Sequence, residues 1–160
     1  MKFEHLVEIN DPRNPLLYQL TREQIWRGLV LGAEAPKLFI PHLDECQLLE
    51  SGKESLTRQL RYGKLVVTDK VTFMPQQYVR YLVAAQQDIV ASSLTMRIEE
   101  PLPGSLFVRF EYDDGQGENA DEEAAMYNDF RHAAYKAADI DTIHIIRELA
   151  QQGRFNAMLN

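Results

Sequence analysis

Apolar and polar residues alternate along most of the first two thirds of the chain, and the last third changes to a helical period. Phe3, His5, Val7 and Ile9 alternate with Lys2, Glu4 and Glu8, which predicts a half-buried first strand closed by Asn10-Asp11-Pro12. Thr21 stands three residues before Gln24 and ahead of Ile25, Trp26, Leu29 and Val30, the signature of a capping-box helix that stops near Pro36. Pro36 and Pro41 then fence a second short helical turn, and residues 43–50 read as strand two.

Gly63-Lys64 is a two-residue loop between two alternating runs, so cross-strand partners follow by counting outward. Tyr62 faces Leu65, Leu60 faces Val67, Arg58 faces Asp69 and Leu56 faces Val71, all on one side. The opposite side carries Thr57, Gln59, Arg61, Thr68, Lys70 and Thr72, with Val66 as its one apolar member. Strand five, 78–83, admits two inner sets, Val79/Tyr81/Val83 and Tyr78/Arg80/Leu82, of which the first is preferred. Leu94, Met96 and Ile98 mark strand six, and Leu106, Val108, Phe110 and Tyr112 mark strand seven.

After the turn residues 113–117, Asn119 or Asp121 caps a helix expected over 121–152, with Glu122 and Glu123 in its first turn as the helix dipole favours. Met126, Phe130, Ala133, Ala137 and Ile140 form its stripe, flanked by Tyr127, Ala134 and Ala138. Ile140, Ile143, Ile145, Ile146 and Leu149 cover most of the circumference further on, more apolar surface than one sheet face hides. Either other elements wrap this end or a second copy does, through a homodimer contact at Ile143 and Ile146.

The pattern is α+β: strands first, a long helix last. Such a sheet has one apolar face, and a helix laid across it encloses either a solid core or a ligand cavity. At 160 residues and 45% apolar content the chain suits one domain over 1–160, with no repeat or linker visible. A formal net charge of -7, from 17 Lys+Arg against 24 Asp+Glu, supplies no basic field for phosphates, so nucleic acid is not an expected partner. Cys46 is the single cysteine, which excludes an intramolecular disulfide and a thiolate zinc site. With no signal-peptide core and no membrane-length apolar run, a soluble cytoplasmic protein without membrane insertion is expected.

Among polar residues the Arg58/Asp69 pair is the sharpest feature, because opposite charges sit side by side on an otherwise apolar face. Desolvation costs several kcal/mol per ion unless the two pair well. Arg58 in a cavity would meet a ligand carboxylate, phosphate or enolate oxygen, with Asp69 holding its fork; as a purely structural pair it would meet none. Tyr62, Tyr81 and Tyr112 offer rings and phenol hydroxyls suited to aromatic ligands, or simply complete a core. His5, His42, His132 and His144 show no ligand spacing, so no metal is expected, and Cys46 lacks the local signature of a nucleophile. Gly115-Gln116-Gly117 lacks the further residues of a phosphate loop, and no cofactor is expected.

The element order resembles the helix-grip fold of the START/Bet v 1-like (SRPBCC) superfamily. The stretches Leu20-Thr21-Arg22-Glu23-Gln24-Ile25-Trp26-Arg27-Gly28-Leu29, Val71-Thr72-Phe73-Met74-Pro75 and Ile146-Arg147-Glu148-Leu149-Ala150-Gln151-Gln152-Gly153 are similar to the AtaL-like family within it. That resemblance implies a seven-stranded curved antiparallel sheet gripping the last helix, two short helices after strand one, and an internal apolar cavity. It implies a binding class, lipids, sterols, hormones or polyketides, and carries over no catalytic set. The reading is therefore a small hydrophobic or aromatic ligand held among Leu60, Tyr62, Phe73, Tyr81, Met96, Phe110, Tyr112, Met126, Phe130 and Ala133, with Arg58 and Asp69 at its polar end. A cyclase, aromatase or hydrolase using the same cavity, and a dimeric interaction protein with a filled core, stand as alternatives.

Overall fold

The computed structural model describes residues 2–115 and 122–156. Its elements are β1 (Lys2–Glu8), α1 (Arg22–Glu34), a short 3-10 turn (Pro36–Leu38), β2 (Glu45–Ser51), β3 (Ser55–Tyr62), β4 (Leu65–Met74), β5 (Tyr78–Val83), β6 (Ser92–Leu102), β7 (Ser105–Asp113) and α2 (Glu122–Gln151). All seven strands lie in one sheet in the order β1-β7-β6-β5-β4-β3-β2, and every neighbour pair is antiparallel. Consecutive strands are therefore hairpin neighbours, except that β1 closes onto β7 and leaves α1 to cross the sheet between β1 and β2. The expected caps of α2, Asn119 and Asp121, lie outside the described residues.

Local chemistry sets these elements. Thr21 caps α1 reciprocally: its hydroxyl accepts from Gln24 N–H at 3.1 Å while the Gln24 side chain accepts from Thr21 N–H at 2.9 Å. Gly63 takes φ +61°, the left-handed value that a two-residue hairpin loop needs at its first position. The β3/β4 register then pairs Tyr62 with Leu65, Leu60 with Val67, Arg58 with Asp69 and Leu56 with Val71, as the alternation required. In β5 the inner set is Val79, Tyr81 and Val83; Val79 is fully buried while Leu82 is exposed.

The inner face of the sheet divides across its strands. At one end Leu56, Val71, Phe73, Val79, Ile98, Leu106, Val108 and Phe110 pack against Ile25, Trp26 and Leu29 of α1 and Ile143, Ile146 and Ala150 of α2, a solid core. Toward the other end of the same strands lie Leu60 and Tyr62 of β3, Val67 of β4, Tyr81 and Val83 of β5, Leu94 and Met96 of β6, and Tyr112 of β7, which face a hollow. Arg58 and Asp69 sit on the boundary.

Two features of α2 differ from what its sequence predicts. Ile143 and Ile146 are 4% and 0% exposed, because α1 covers them, with Gly28 directly against Ile146. Other elements wrap this end, so neither residue is free to form a homodimer contact. The stripe of Met126, Phe130, Ala133, Ala137 and Ile140 lies on the outer side, with Met126, Phe130 and Ile140 60%, 69% and 54% exposed. The inward stripe is instead His132, Tyr135, Asp139, Ile143 and Ile146, since the upper half of α2 meets the sheet through hydrogen bonds and ring stacking.

Candidate functional site

The hollow has a volume of about 600 Å³, within the range of ligand pockets. Its floor is the upper half of β3 to β7, its sides are Gly28, Leu29 and Gly32 of α1 with Pro36, Phe39, Ile40, Pro41 and His42 beyond it, and its far wall is Ala138, Asp139, Asp141 and Thr142 of α2. Gly28 and Gly32 carry no side chain, which leaves Leu29 as the one α1 side chain of the lining. The wall is mostly hydrocarbon and ring, so polar contacts are few and positioned.

Arg58 and Asp69 form a clasped pair. Arg58 Nε donates to Asp69 Oδ1 at 2.8 Å and Nη2 to Oδ2 at 2.6 Å, the two parallel bonds of a bidentate guanidinium–carboxylate contact. Nη1 donates to the Ala33 carbonyl at 3.0 Å in the last turn of α1, where a cation suits the helix dipole. The guanidinium carbon lies 5.0 Å from the centre of the Tyr81 ring. With residue exposures of 4% and 6% the pair is desolvated. Burial opposes the charge on Arg58, but the hydrogen bond and field of Asp69 outweigh it and hold the guanidinium protonated. Three contacts leave two of its N–H groups, one on each Nη, for a neutral oxygen in the hollow.

The phenols stay protonated. Burial pushes Tyr81 up to about 12, and it also raises Tyr62 and Tyr112, the last further through its bond to Asp139. Each therefore offers an O–H group and an aromatic face, and none is a ready phenolate base.

A second polar group was not legible as a site residue. Asp139, 2% exposed, accepts from the Tyr112 hydroxyl on β7 and contacts His5 Nδ1 on β1 at 3.1 Å. The Tyr112 ring stacks on Tyr135 one helical turn earlier, at 4.2 Å and 12°. In sequence the only signal is an acid at i+4 from Tyr135 and i−4 from Ile143, on a stripe less apolar than its neighbour. Burial pushes the Asp139 carboxyl up to about 6, against the downward pull of Tyr112 and His5.

That displacement sets a pH dependence. The folded protein holds the Asp139 proton more tightly than the unfolded chain, so its contribution to stability is complete below about pH 4 and is lost as pH rises through about 6. Asp139→Asn keeps an acceptor for Tyr112 and a donor for His5 but has no charge to desolvate. Urea unfolding at pH 4 and pH 7.5 is expected to show the variant gaining roughly 1–2 kcal/mol on wild type across that interval. Parallel profiles for the two proteins would contradict the assignment.

Of the residues singled out by sequence, Arg58, Leu60, Tyr62, Asp69, Tyr81, Met96 and Tyr112 converge on the hollow. Phe73 and Phe110 lie in the solid core, 7% and 0% exposed. Met126, Phe130 and Ala133 are on the outer side of α2 and outside the lining. Among the described residues no group of three His, Cys, Asp or Glu side chains is placed to hold a metal ion, and no helix is long and apolar enough to cross a membrane.

The model of a family described as acetylaranotin biosynthesis cluster protein L (AtaL) matches residues 7–153. Among solved structures, the ZhuI aromatase/cyclase from Streptomyces sp. R1128 superposes with a TM-score of 0.59 at 15% identity over 95% of this chain and 94% of that one. The di-domain ARO/CYC StfQ from the steffimycin biosynthetic pathway gives 0.68 at 9% identity over 96% of this chain and 52% of that one. The Aha1 dimer from Colwellia psychrerythraea gives 0.61 at 15% identity over 92% and 96%. At such identities the likeness is one of fold. No curated protein gave a significant sequence match.

Proposed function

The chain belongs to the AtaL family, and from that premise we propose that it encloses an apolar or aromatic small molecule, of polyketide or secondary-metabolite type, between the upper half of its sheet, α1 and α2. The observation that carries this reading is the hollow itself: about 600 Å³ bounded by Leu60, Tyr62, Tyr81, Leu94 and Met96, with Arg58 on its boundary. Space of that size among side chains that would otherwise pack together forfeits contact energy, and an apolar occupant restores it. The family description and the aromatase/cyclase titles of two structural neighbours agree with a ligand of this class. Arg58 contributes its spare N–H groups to a carbonyl or hydroxyl oxygen on the ligand. The unpaired Cys46 suits a reducing compartment, and we place the binding in the cytoplasm.

N-phenyl-1-naphthylamine, an aromatic probe that is neutral at pH 7 and brightens on leaving water, tests this. Saturable binding of one probe per chain is expected, and Met96→Trp, which fills the hollow from β6, is expected to weaken it at least tenfold. Absence of saturable binding, or binding that Met96→Trp leaves intact, would overturn the reading. Native mass spectrometry of the protein from its own host then identifies any molecule that it retains.

A further inference from the structure

The hollow carries one pair of charges that cancel, the exposed Asp141 at its edge, and the buried carboxylate of Asp139, which no Lys or Arg among the described residues pairs with. Arg58 and Asp69 neutralise each other through two hydrogen bonds. Asp139, on the opposite wall, has a phenol and an imidazole as its partners, and among the described residues no Lys or Arg forms an ion pair with it. A carboxylate accepts about four hydrogen bonds; the two supplied here come from β7 and β1, and the residue itself borders the hollow. With His5 as its ion-pair partner and one donor on each oxygen, the desolvated Asp139 carboxylate keeps acceptor capacity for a further, charged donor.

The surrounding surfaces fit a cation as well. Tyr62 lines the same hollow, and aromatic faces attract ammonium groups, whereas the Tyr112 ring is stacked on Tyr135. The Tyr81 face already has the Arg58 guanidinium over it, so that wall does not call for a second cation. The net charge of -7 further favours the approach of cations over anions.

We propose that the enclosed molecule is two-ended: an aromatic or fused-ring body that presents a neutral oxygen to Arg58 and a protonated amine to Asp139. This rests on the binding reading above and adds the chemical class of the ligand. Asp139 acts as the counter-ion, Tyr112 and His5 hold its carboxylate in place, and an anionic ligand group is disfavoured because Asp69 already neutralises the Arg58 charge.

Three probes of one shape separate the possibilities: 2-naphthylmethylamine, 2-naphthalenemethanol and 2-naphthoic acid, each titrated by calorimetry at pH 7.5 in 0.5 M NaCl, where attraction to exposed charge is screened. A charge-assisted hydrogen bond in a desolvated site corresponds to about a tenfold to hundredfold preference, so the amine is expected to bind about that much more tightly than the alcohol, and the acid more weakly than either. Asp139→Asn is expected to abolish the preference for the amine over the alcohol. Met96→Trp is expected to weaken both, which places the amine in the hollow and not on the acidic surface. Alcohol bound as well as amine, or an amine preference that survives Asp139→Asn, would overturn this inference and leave the binding reading standing. Failure of all three probes together with N-phenyl-1-naphthylamine would overturn both.

Discussion

Arg58→Met is expected to cost the fold about 3–5 kcal/mol, because it strands Asp69 as a buried charge with its two best donors removed. The replacement has a similar length and fits an apolar wall, so the loss measures the broken pair and not a cavity. Asp69→Leu on its own is expected to be comparably harmful, since it leaves a desolvated guanidinium. Combining the two substitutions removes both charges and should recover most of the loss, giving a double-mutant coupling of about 2 kcal/mol or more. Recovery stops short of wild type because Arg58 also holds the Ala33 carbonyl at the end of α1, a bond worth about 1 kcal/mol. Additive single losses, or single losses below about 1 kcal/mol, would show that the two side chains are solvated and do not depend on each other.

Gly28→Ala is expected to destabilise by about 1–3 kcal/mol although alanine is the better helix former by about 1 kcal/mol. A Cβ at this position would stand 2.5, 2.7 and 2.9 Å from Cγ2, Cγ1 and Cδ1 of Ile146, which is itself fully buried and has nowhere to retreat. The missing side chain is what lets α1 approach α2. The same substitution should change sign once the obstacle is gone: in an Ile146→Ala background, which alone loses about 2–5 kcal/mol, adding Gly28→Ala refills part of the void and raises stability. Denaturant unfolding of the four proteins reads this directly. A Gly28→Ala that is neutral or stabilising in the wild-type background would mean that the helices do not meet here.

The strands were legible because a pleated backbone forces strict alternation, and a tight hairpin then fixes register by counting. That reasoning placed Arg58 opposite Asp69 and selected the Val79/Tyr81/Val83 face of β5. Alternation tells which face a residue occupies but not how far along the strand the core ends, so Phe73 and Phe110 were grouped with residues that line the hollow when they are core. In α2 the hydrophobic stripe was a poor guide. The upper half meets the sheet through His132, Tyr135 and Asp139, and hydrogen bonds and stacking replace hydrocarbon there. The more apolar stripe of Met126 and Phe130 is left facing outward. Asp139 and His5 are 134 positions apart in sequence, and nothing in their local surroundings announces the partnership.

The partition of the inner face has an evolutionary corollary. Residues of the solid core and residues that line the hollow occupy opposite ends of the same strands, with the Arg58–Asp69 clasp at the boundary. Substitutions at distant sites without shared neighbours act independently. Substitutions at Tyr62, which lies outside the core cluster, should therefore affect stability less than substitutions at Leu56, Val71 or Val108, whereas Leu94 and Met96 pack against that cluster. Were the hollow to hold the proposed ligand, its preference could be retuned from this end of the sheet by a handful of replacements, and a designer wishing to retarget the scaffold has the same latitude.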